Sequence, residues 1–88
     1  MIAQRVIFRG RVQGVGFRYK TAAIAAGFRV SGSVKNLADG SVELVCEGEA
    51  PDIDGFIVQV KTRLERYIAA VEIEERGVQG LTDFVISY

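Results

Sequence analysis

The 88-residue chain is short and its charge is balanced, and both properties exclude several classes of protein. Eleven basic and eleven acidic residues cancel, whereas a small nucleic-acid module is usually clearly basic, so no nucleic-acid partner is expected. The absence of histidine and the single cysteine, Cys46, exclude imidazole bases, an internal disulfide and most thiolate metal sites. Because no leader sequence opens the chain and no apolar run approaches the roughly 20 residues that span a bilayer, we expect one cytoplasmic domain over residues 1–88 with no membrane partner.

The first two predicted elements are a strand and a helix joined by glycines. Residues 5–12 alternate apolar and basic side chains with a period of two, which predicts a half-buried strand. Residues 13–16 interrupt this pattern. From Phe17 to Phe28 the apolar positions recur with helical spacing, and Gly27 lies near the expected end of this helix.

A hairpin and a second helix follow. Residues 29–36 and 41–47 both alternate, and the Asp39-Gly40 pair between them is a strong turn signal, which predicts a β-hairpin. Residues 53–67 then carry an apolar stripe at helical spacing. Acidic residues open this stretch and basic residues close it, Arg66 among them, as the helix dipole favours.

Two further strands are predicted at residues 70–75 and 84–88. The element order is then β-α-β-β-α-β-β. This order predicts an α+β fold, an α/β sandwich of the ferredoxin-like split β-α-β type, in which a mostly antiparallel sheet carries both helices on one face.

The segment from Gly10 to Arg18 is the part of the chain best suited to chemistry. It joins a strand to a helix through three glycines, which permit positive φ, so that backbone N–H groups can turn inward around an anion. The N-terminus of the helix adds unpaired N–H groups. Arg18 opposes the dipole there by roughly 0.3–1 kcal/mol, and a bound anion would reverse that conflict. On spacing alone, an anion site and an ordinary surface turn are equally good interpretations, and the pattern matches no nucleotide motif.

Other polar residues have simpler interpretations when each is taken alone. Asn36 before a turn is typical of a residue that caps backbone groups. Cys46 shares the apolar register of its strand and is expected to be inert core. Glu72, Glu74 and Glu75 predict a solvated strand edge rather than a metal-ligand cluster, so no metal and no cofactor are expected.

Three stretches together resemble the acylphosphatase family: residues 10–18, residues 32–36 and residues 39–43. The resemblance extends over essentially the whole chain. It implies an enzyme that cleaves the carboxyl–phosphate bond of acyl phosphates to a carboxylate and inorganic phosphate, without a metal or a covalent intermediate. It also implies that Arg18 holds the phosphoryl group, that Asn36 orients the attacking water, and that a loop binds the phosphoryl oxygens through its backbone amides. That loop comprises Arg11, Val12, Gln13, Gly14, Val15 and Gly16.

Two positions depart from the family pattern. Ser33 stands where an aromatic residue is frequent, and Lys20 stands where an aromatic residue or histidine is common, which affects the expected substrate preference and rate. The expected partners are an acyl phosphate, and inorganic phosphate or sulfate in the same site, with the chain as a monomer.

Two alternatives remain open. RNA-recognition domains share this fold but need exposed strand aromatics that this chain lacks. A second alternative is a phosphate- or carbamoyl-phosphate-binding module without turnover, like the acylphosphatase-like domains that open the carbamoyl-transfer proteins of hydrogenase maturation.

Overall fold

The computed structural model describes all of residues 1–88 as a sheet of five strands with two α-helices. The strands are β1 (Ile2–Gly10), β2 (Val30–Asn36), β3 (Val42–Gly48), β4 (Ile68–Arg76) and β5 (Phe84–Ile86). The helices are α1 (Phe17–Ala25) and α2 (Ala50–Arg63), and a short 3₁₀ turn (Glu65–Tyr67) follows α2. The predicted order of elements is confirmed.

The sheet has the strand order β4-β1-β3-β2-β5. Its pairs are antiparallel except β2 with β5, so the predicted α+β fold with a mostly antiparallel sheet is confirmed. The predicted hairpin is also confirmed, with Asn36 of β2 opposite Val42 of β3, which in turn lies opposite Phe8 of β1. Because β1 and β2 both run antiparallel to β3, their carboxyl ends lie at the same end of the sheet.

The core lies between one face of the sheet and the two helices. Alternate strand residues point into it because side chains of a strand alternate between faces, and each helix contributes one apolar stripe. Phe8 of β1 packs on Phe17 of α1 with ring centroids 5.2 Å apart, and Phe56 of α2 meets Phe84 of β5 at 5.6 Å. Cys46 is fully buried among them, as predicted.

The predicted first strand extends too far. β1 ends at Gly10, where the register with β4 shifts, so the prediction that the strand continues through residue 12 is wrong. At Gly10 φ is 135°, and a Cβ would overlap the carbonyl oxygen of Tyr67 and lie 2.7 Å from the nitrogen of Ala69. A glycine at this position therefore permits the close approach of the Tyr67 and Ala69 backbone, which a side chain would prevent.

The second helix stops earlier than its apolar stripe. Leu64 has φ −110° and ends α2, and the 3₁₀ turn that follows holds Tyr67 against the core. Arg66 therefore lies in that 3₁₀ turn, and the prediction that it lies in the last turn of the helix is wrong. Neither helix is long and apolar enough to cross a membrane.

The face of the sheet opposite the helices carries paired charges. Arg5 Nε lies 2.6 Å from Glu43 Oε2, and Arg9 Nε lies 2.6 Å from Glu72 Oε2. Arg5 Nη1 also approaches Glu74 at 3.6 Å. The glutamates of β4 are thus solvated, as predicted, but they are also paired across the strands.

Candidate active site

The loop between β1 and α1 has the backbone that an anion site requires. Gly14 and Gly16 have φ of 77° and 78°, the positive values expected of these glycines. Gly16 is the residue that precedes α1, and no side chain caps the helix there. The N–H groups of the first turn have no acceptor within the helix, and this turn contains no acidic residue. The loop therefore presents unpaired donors and the positive end of the dipole to one spot.

Arg18 lies in the first turn of α1 and is held from the far end of the chain. Its Nη1 donates a hydrogen bond to the carbonyl oxygen of Ser87 at 3.0 Å. Its Cζ lies 4.7 Å from the ring centroid of Tyr88, and the Tyr88 hydroxyl is 3.4 Å from that of Tyr19. This hydrogen bond with Tyr19 raises the pKa of Tyr88. Because a guanidinium has five N–H donors, Arg18 keeps most of its donors for an anion.

Asn36 ends β2, and its exposed side chain makes no hydrogen bond to the protein. The hairpin turn is capped by Asp39 instead, whose Oδ1 accepts hydrogen bonds from Ser41 Oγ at 2.5 Å and Ser41 N at 3.0 Å. These bonds, with a further one from Arg9, lower the pKa of Asp39 to about 2. The alternative interpretation of Asn36 as the cap of this turn is therefore wrong.

Gln13 joins the glycine loop to the hairpin. Its Nε2 donates to the carbonyl oxygens of Leu37 at 2.8 Å and Ser41 at 2.9 Å. This side-chain contact holds the loop beside the end of β2. Sequence reasoning assigned only the backbone of Gln13 to the site, because no local pattern shows which distant carbonyls a glutamine will reach.

These elements border a pocket of about 190 Å³, called the phosphate pocket after the ligand that the family resemblance implies for it. No acidic residue lines it. Its lining residues are Val12, Gly14, Gly16, Phe17, Arg18, Tyr19 and Asn36.

The phosphate pocket contains some of the predicted site residues and not others. Both predicted catalytic side chains line it, although they lie on different elements. Gln13 contacts the hairpin as described, the carbonyl oxygen of Val15 accepts a hydrogen bond from Lys20, and Arg11 is exposed without a partner. The roles assigned to the loop residues stay predictions. Tyr19 was missed, because an aromatic residue in a first turn carries no distinctive signal.

A larger depression of about 360 Å³ lies on the open face of the sheet, over Arg5 and Arg9. Its arginines are already paired with carboxylates, so it offers no free charge to a ligand. No group of three or more histidine, cysteine, aspartate or glutamate side chains is placed to hold a metal ion.

The fold and the pocket define a class: split β-α-β proteins in which a loop with positive-φ glycines joins the first strand to the N-terminus of the first helix. The family model described as Acylphosphatase matches residues 4–86. The acylphosphatase of Treponema denticola is 45% identical over 87 residues, which cover 96% of this chain and 90% of the relative. The crystal structure of acylphosphatase from Bacillus subtilis superposes with a TM-score of 0.90 at 35% identity, over 100% of both chains. The chain belongs to the acylphosphatase family.

The same fold also occurs inside a much longer protein. The crystal structure of HypF from T. kodakarensis matches 100% of this chain at 34% identity with a TM-score of 0.87, but the match covers only 12% of that protein.

Proposed function

We propose that this enzyme hydrolyses the carboxyl–phosphate bond of acyl phosphates by direct attack of water, with Arg18 and the loop of residues 11–16 holding the phosphoryl group and Asn36 placing the water. One observation carries the proposal. The guanidinium of Arg18, the unpaired N–H groups at the start of α1 and the unbonded amide of Asn36 border a single pocket without an acidic residue.

Binding of the phosphoryl group needs positive charge and donors in fixed positions. Phosphoryl transfer places charge on three equatorial oxygens, and catalysis is mostly positioning and electrostatic stabilisation. Arg18 offers a planar fork that matches two oxygens, and its contact with Ser87 fixes the direction of that fork. Backbone N–H groups of the glycine loop meet the remaining oxygens.

Attack by water needs orientation more than acid or base catalysis. The amide of Asn36 both donates and accepts, so it can hold a water without ionising. The water oxygen bonds to phosphorus, the bond from phosphorus to the acyl oxygen breaks, and its electron pair leaves on the carboxylate. A phosphate oxygen takes the proton of the water. Since a carboxylate is a good leaving group, no acid is required.

The test is hydrolysis of benzoyl phosphate in the presence of excess chelator. We expect turnover to be unchanged by the chelator, because the chain has no histidine and no carboxylate borders the phosphate pocket. The control is Arg18→Ala under the same conditions, which should be nearly inactive. Activity that disappears with chelator and returns with magnesium would contradict this mechanism.

We also propose that inorganic phosphate and sulfate bind in the phosphate pocket. Both should inhibit competitively, because the loop recognises a tetrahedral anion rather than the acyl part. Both should raise the melting temperature, since a ligand at one hundred times its dissociation constant stabilises the folded state by about 2.7 kcal/mol. Purely noncompetitive inhibition by phosphate would be inconsistent with this site. A monomeric state and a cytoplasmic location stay predictions.

The alternative that the sequence left open, a module that binds phosphate or carbamoyl phosphate without turnover, stays a second candidate, because the same fold also occurs as a small part of the longer HypF chain. The same assay separates the two functions. Phosphate binding and stabilisation without hydrolysis of any acyl phosphate would favour the binding module.

A further inference from the structure

A second pocket, of about 390 Å³, lies between α1 and the end of α2. Its apolar lining consists of side chains from both helices and from the 3₁₀ turn. These are Ala23, Ile24, Leu64 and Tyr67. Ile24 and Leu64 are buried and belong to the core, so the pocket has a firm apolar floor.

Three cations border this pocket, Lys20 of α1, Arg63 of α2 and Arg66 of the 3₁₀ turn, and no acidic residue does. All three are exposed, and none forms an ion pair. Glu65, which lies between the two arginines in sequence, lines a different depression with Lys61. We call this second pocket the cationic pocket.

The helix dipole explains only part of this arrangement. Arg63 lies at the C-terminal end of α2, where a cation is favourable, whereas Lys20 lies near the N-terminus of α1, where it is not. Like charges that share one concave surface repel each other and raise the local concentration of anions. An anion in the cationic pocket would relieve this repulsion.

Lys20 separates the cationic pocket from the phosphate pocket. Its backbone N donates to the carbonyl oxygen of Gly16 at 3.0 Å, and Gly16 lines the phosphate pocket. Its Nζ donates to the carbonyl oxygen of Val15 at 3.1 Å and lies 5.2 Å from the ring centroid of Tyr67. Gly16 and Lys20, which lie one helical turn apart, therefore line the phosphate pocket and the cationic pocket respectively.

We propose that the cationic pocket receives the acyl part of the substrate, and that the preferred acyl phosphates carry a second anionic group, a carboxylate or a phosphate, on the acyl chain. The apolar floor accommodates the carbon chain, and Lys20, Arg63 and Arg66 bind the second anion. This inference rests on the proposed function, since it needs turnover at the phosphate pocket.

The test compares benzoyl phosphate with 4-carboxybenzoyl phosphate and 4-phosphonobenzoyl phosphate, each normalised to its uncatalysed hydrolysis rate. We expect a higher kcat/KM for the doubly anionic substrates, and the better of the two identifies carboxylate or phosphate as the second group. In Arg63→Gln/Arg66→Gln this preference should fall about two- to tenfold, the range for exposed charge pairs. Added salt should weaken the preference as well.

The matched control is Lys61→Gln, which removes an exposed cation of α2 outside the cationic pocket and should keep the preference. Hydrolysis of benzoyl phosphate without a preference for the anionic substrates would overturn this inference alone. An equal loss of preference in Lys61→Gln and in the double variant would also overturn it, by showing an effect of net charge. No hydrolysis of any of the three substrates would overturn the proposed function and this inference together.

Discussion

At the residue scale, the two polar side chains of the phosphate pocket are held in opposite ways. Arg18 is fixed by Ser87 and Tyr88, which are 69 and 70 positions away along the chain. The side chain of Asn36 has no hydrogen-bond partner, and it is positioned by its backbone at the end of β2. A fixed cation suits an anion that is bound throughout the reaction, whereas an unbonded amide suits a water that must be held on one side of the phosphorus.

Substitution of these two residues should therefore give different kinetic results. Arg18→Ala should weaken phosphate binding and turnover together, because the guanidinium contacts the anion in the ground state and the transition state. Arg18→Lys should recover little, since a point charge cannot reproduce two parallel hydrogen bonds. Asn36→Ala should leave phosphate affinity near that of the wild type and lower kcat on the order of 10²–10³. Calorimetric phosphate titration and steady-state kinetics measure both quantities.

Arg29→Ala is the control for this comparison, because Arg29 is exposed and forms no ion pair. This substitution should change neither the phosphate affinity nor kcat. An Asn36→Ala protein that unfolds readily but keeps its kcat per folded molecule would show that Asn36 stabilises the hairpin rather than the water. Asp39→Ala should lower the stability and keep the kcat per folded molecule, since Asp39 caps the hairpin turn.

At the element scale, β2 depends on Gly32, which lies between the two strands that pair with β2, namely β3 and β5. Gly32 has φ of 149°, and a Cβ there would overlap the carbonyl oxygen of Val45 on β3. On the other side, its N donates to the carbonyl oxygen of Asp83 at 2.8 Å, just before β5. Since β2 ends in Asn36, a shift of this strand would also displace Asn36 from the phosphate pocket.

Gly32→Ala should be strongly destabilising. We expect a loss of about 3 kcal/mol or more in the free energy of unfolding, from backbone strain together with a steric overlap that only a strand shift can relieve. The matched control is Gly40→Ala in the hairpin turn, where φ is 93° and no atom lies within 4 Å of the new Cβ. Strain alone should cost about 1–2 kcal/mol there. Urea denaturation measures both values, and equal losses would mean that the overlap at Gly32 is relieved without cost.

At the scale of the whole molecule, one buried carboxylate organises the connection between β4 and β5. Glu47 of β3 accepts hydrogen bonds from the backbone N–H groups of Gln79, Gly80 and Leu81 at 2.6, 3.0 and 3.0 Å. The first of these bonds is the main cause that lowers the pKa of Glu47, against the opposing effect of burial. The connection leads into β5 and then to Ser87, so Glu47 indirectly supports the position of Arg18.

Acid should therefore destabilise the protein through Glu47 and Asp39. Both carboxyls have a lower pKa in the folded chain than in the unfolded chain, so their contribution is complete above the unfolded values of about 4. It should be lost as the pH falls through the folded values, which for Asp39 is about 2. The melting temperature, measured from pH 6 to pH 2 in steps of about one unit, should fall steadily below pH 4.

Glu47→Gln should melt at a lower temperature at neutral pH, and its decline in acid should be shallower than that of the wild type. The control is Glu65→Gln, because Glu65 is exposed and makes no side-chain hydrogen bond or ion pair, and it should follow the wild-type curve. A Glu47→Gln curve parallel to the wild type would show that the pKa of this carboxyl is not linked to folding.

The sequence by itself determined the order of elements, the buried faces and the location of the glycine loop between β1 and α1. Alternation in β3 and the stripe of α1 are local patterns, since a period of two or of 3.6 follows from backbone geometry alone. The positive φ values of Gly14 and Gly16 were predicted for the same reason, because only the residue type is needed to expect them. The family motifs added the predicted roles of Arg18 and Asn36, which spacing alone left undecided and which stay predictions.

Only the tertiary structure decided which distant residues meet. The strand order places the ends of β1 and β2 together and so brings Arg18 and Asn36 to one pocket. The contact of Arg18 with Tyr88, the bonds of Glu47 and the convergence of Lys20 with Arg66 all join separate elements. Such contacts depend on how the elements pack, and no periodicity within a single element carries that information.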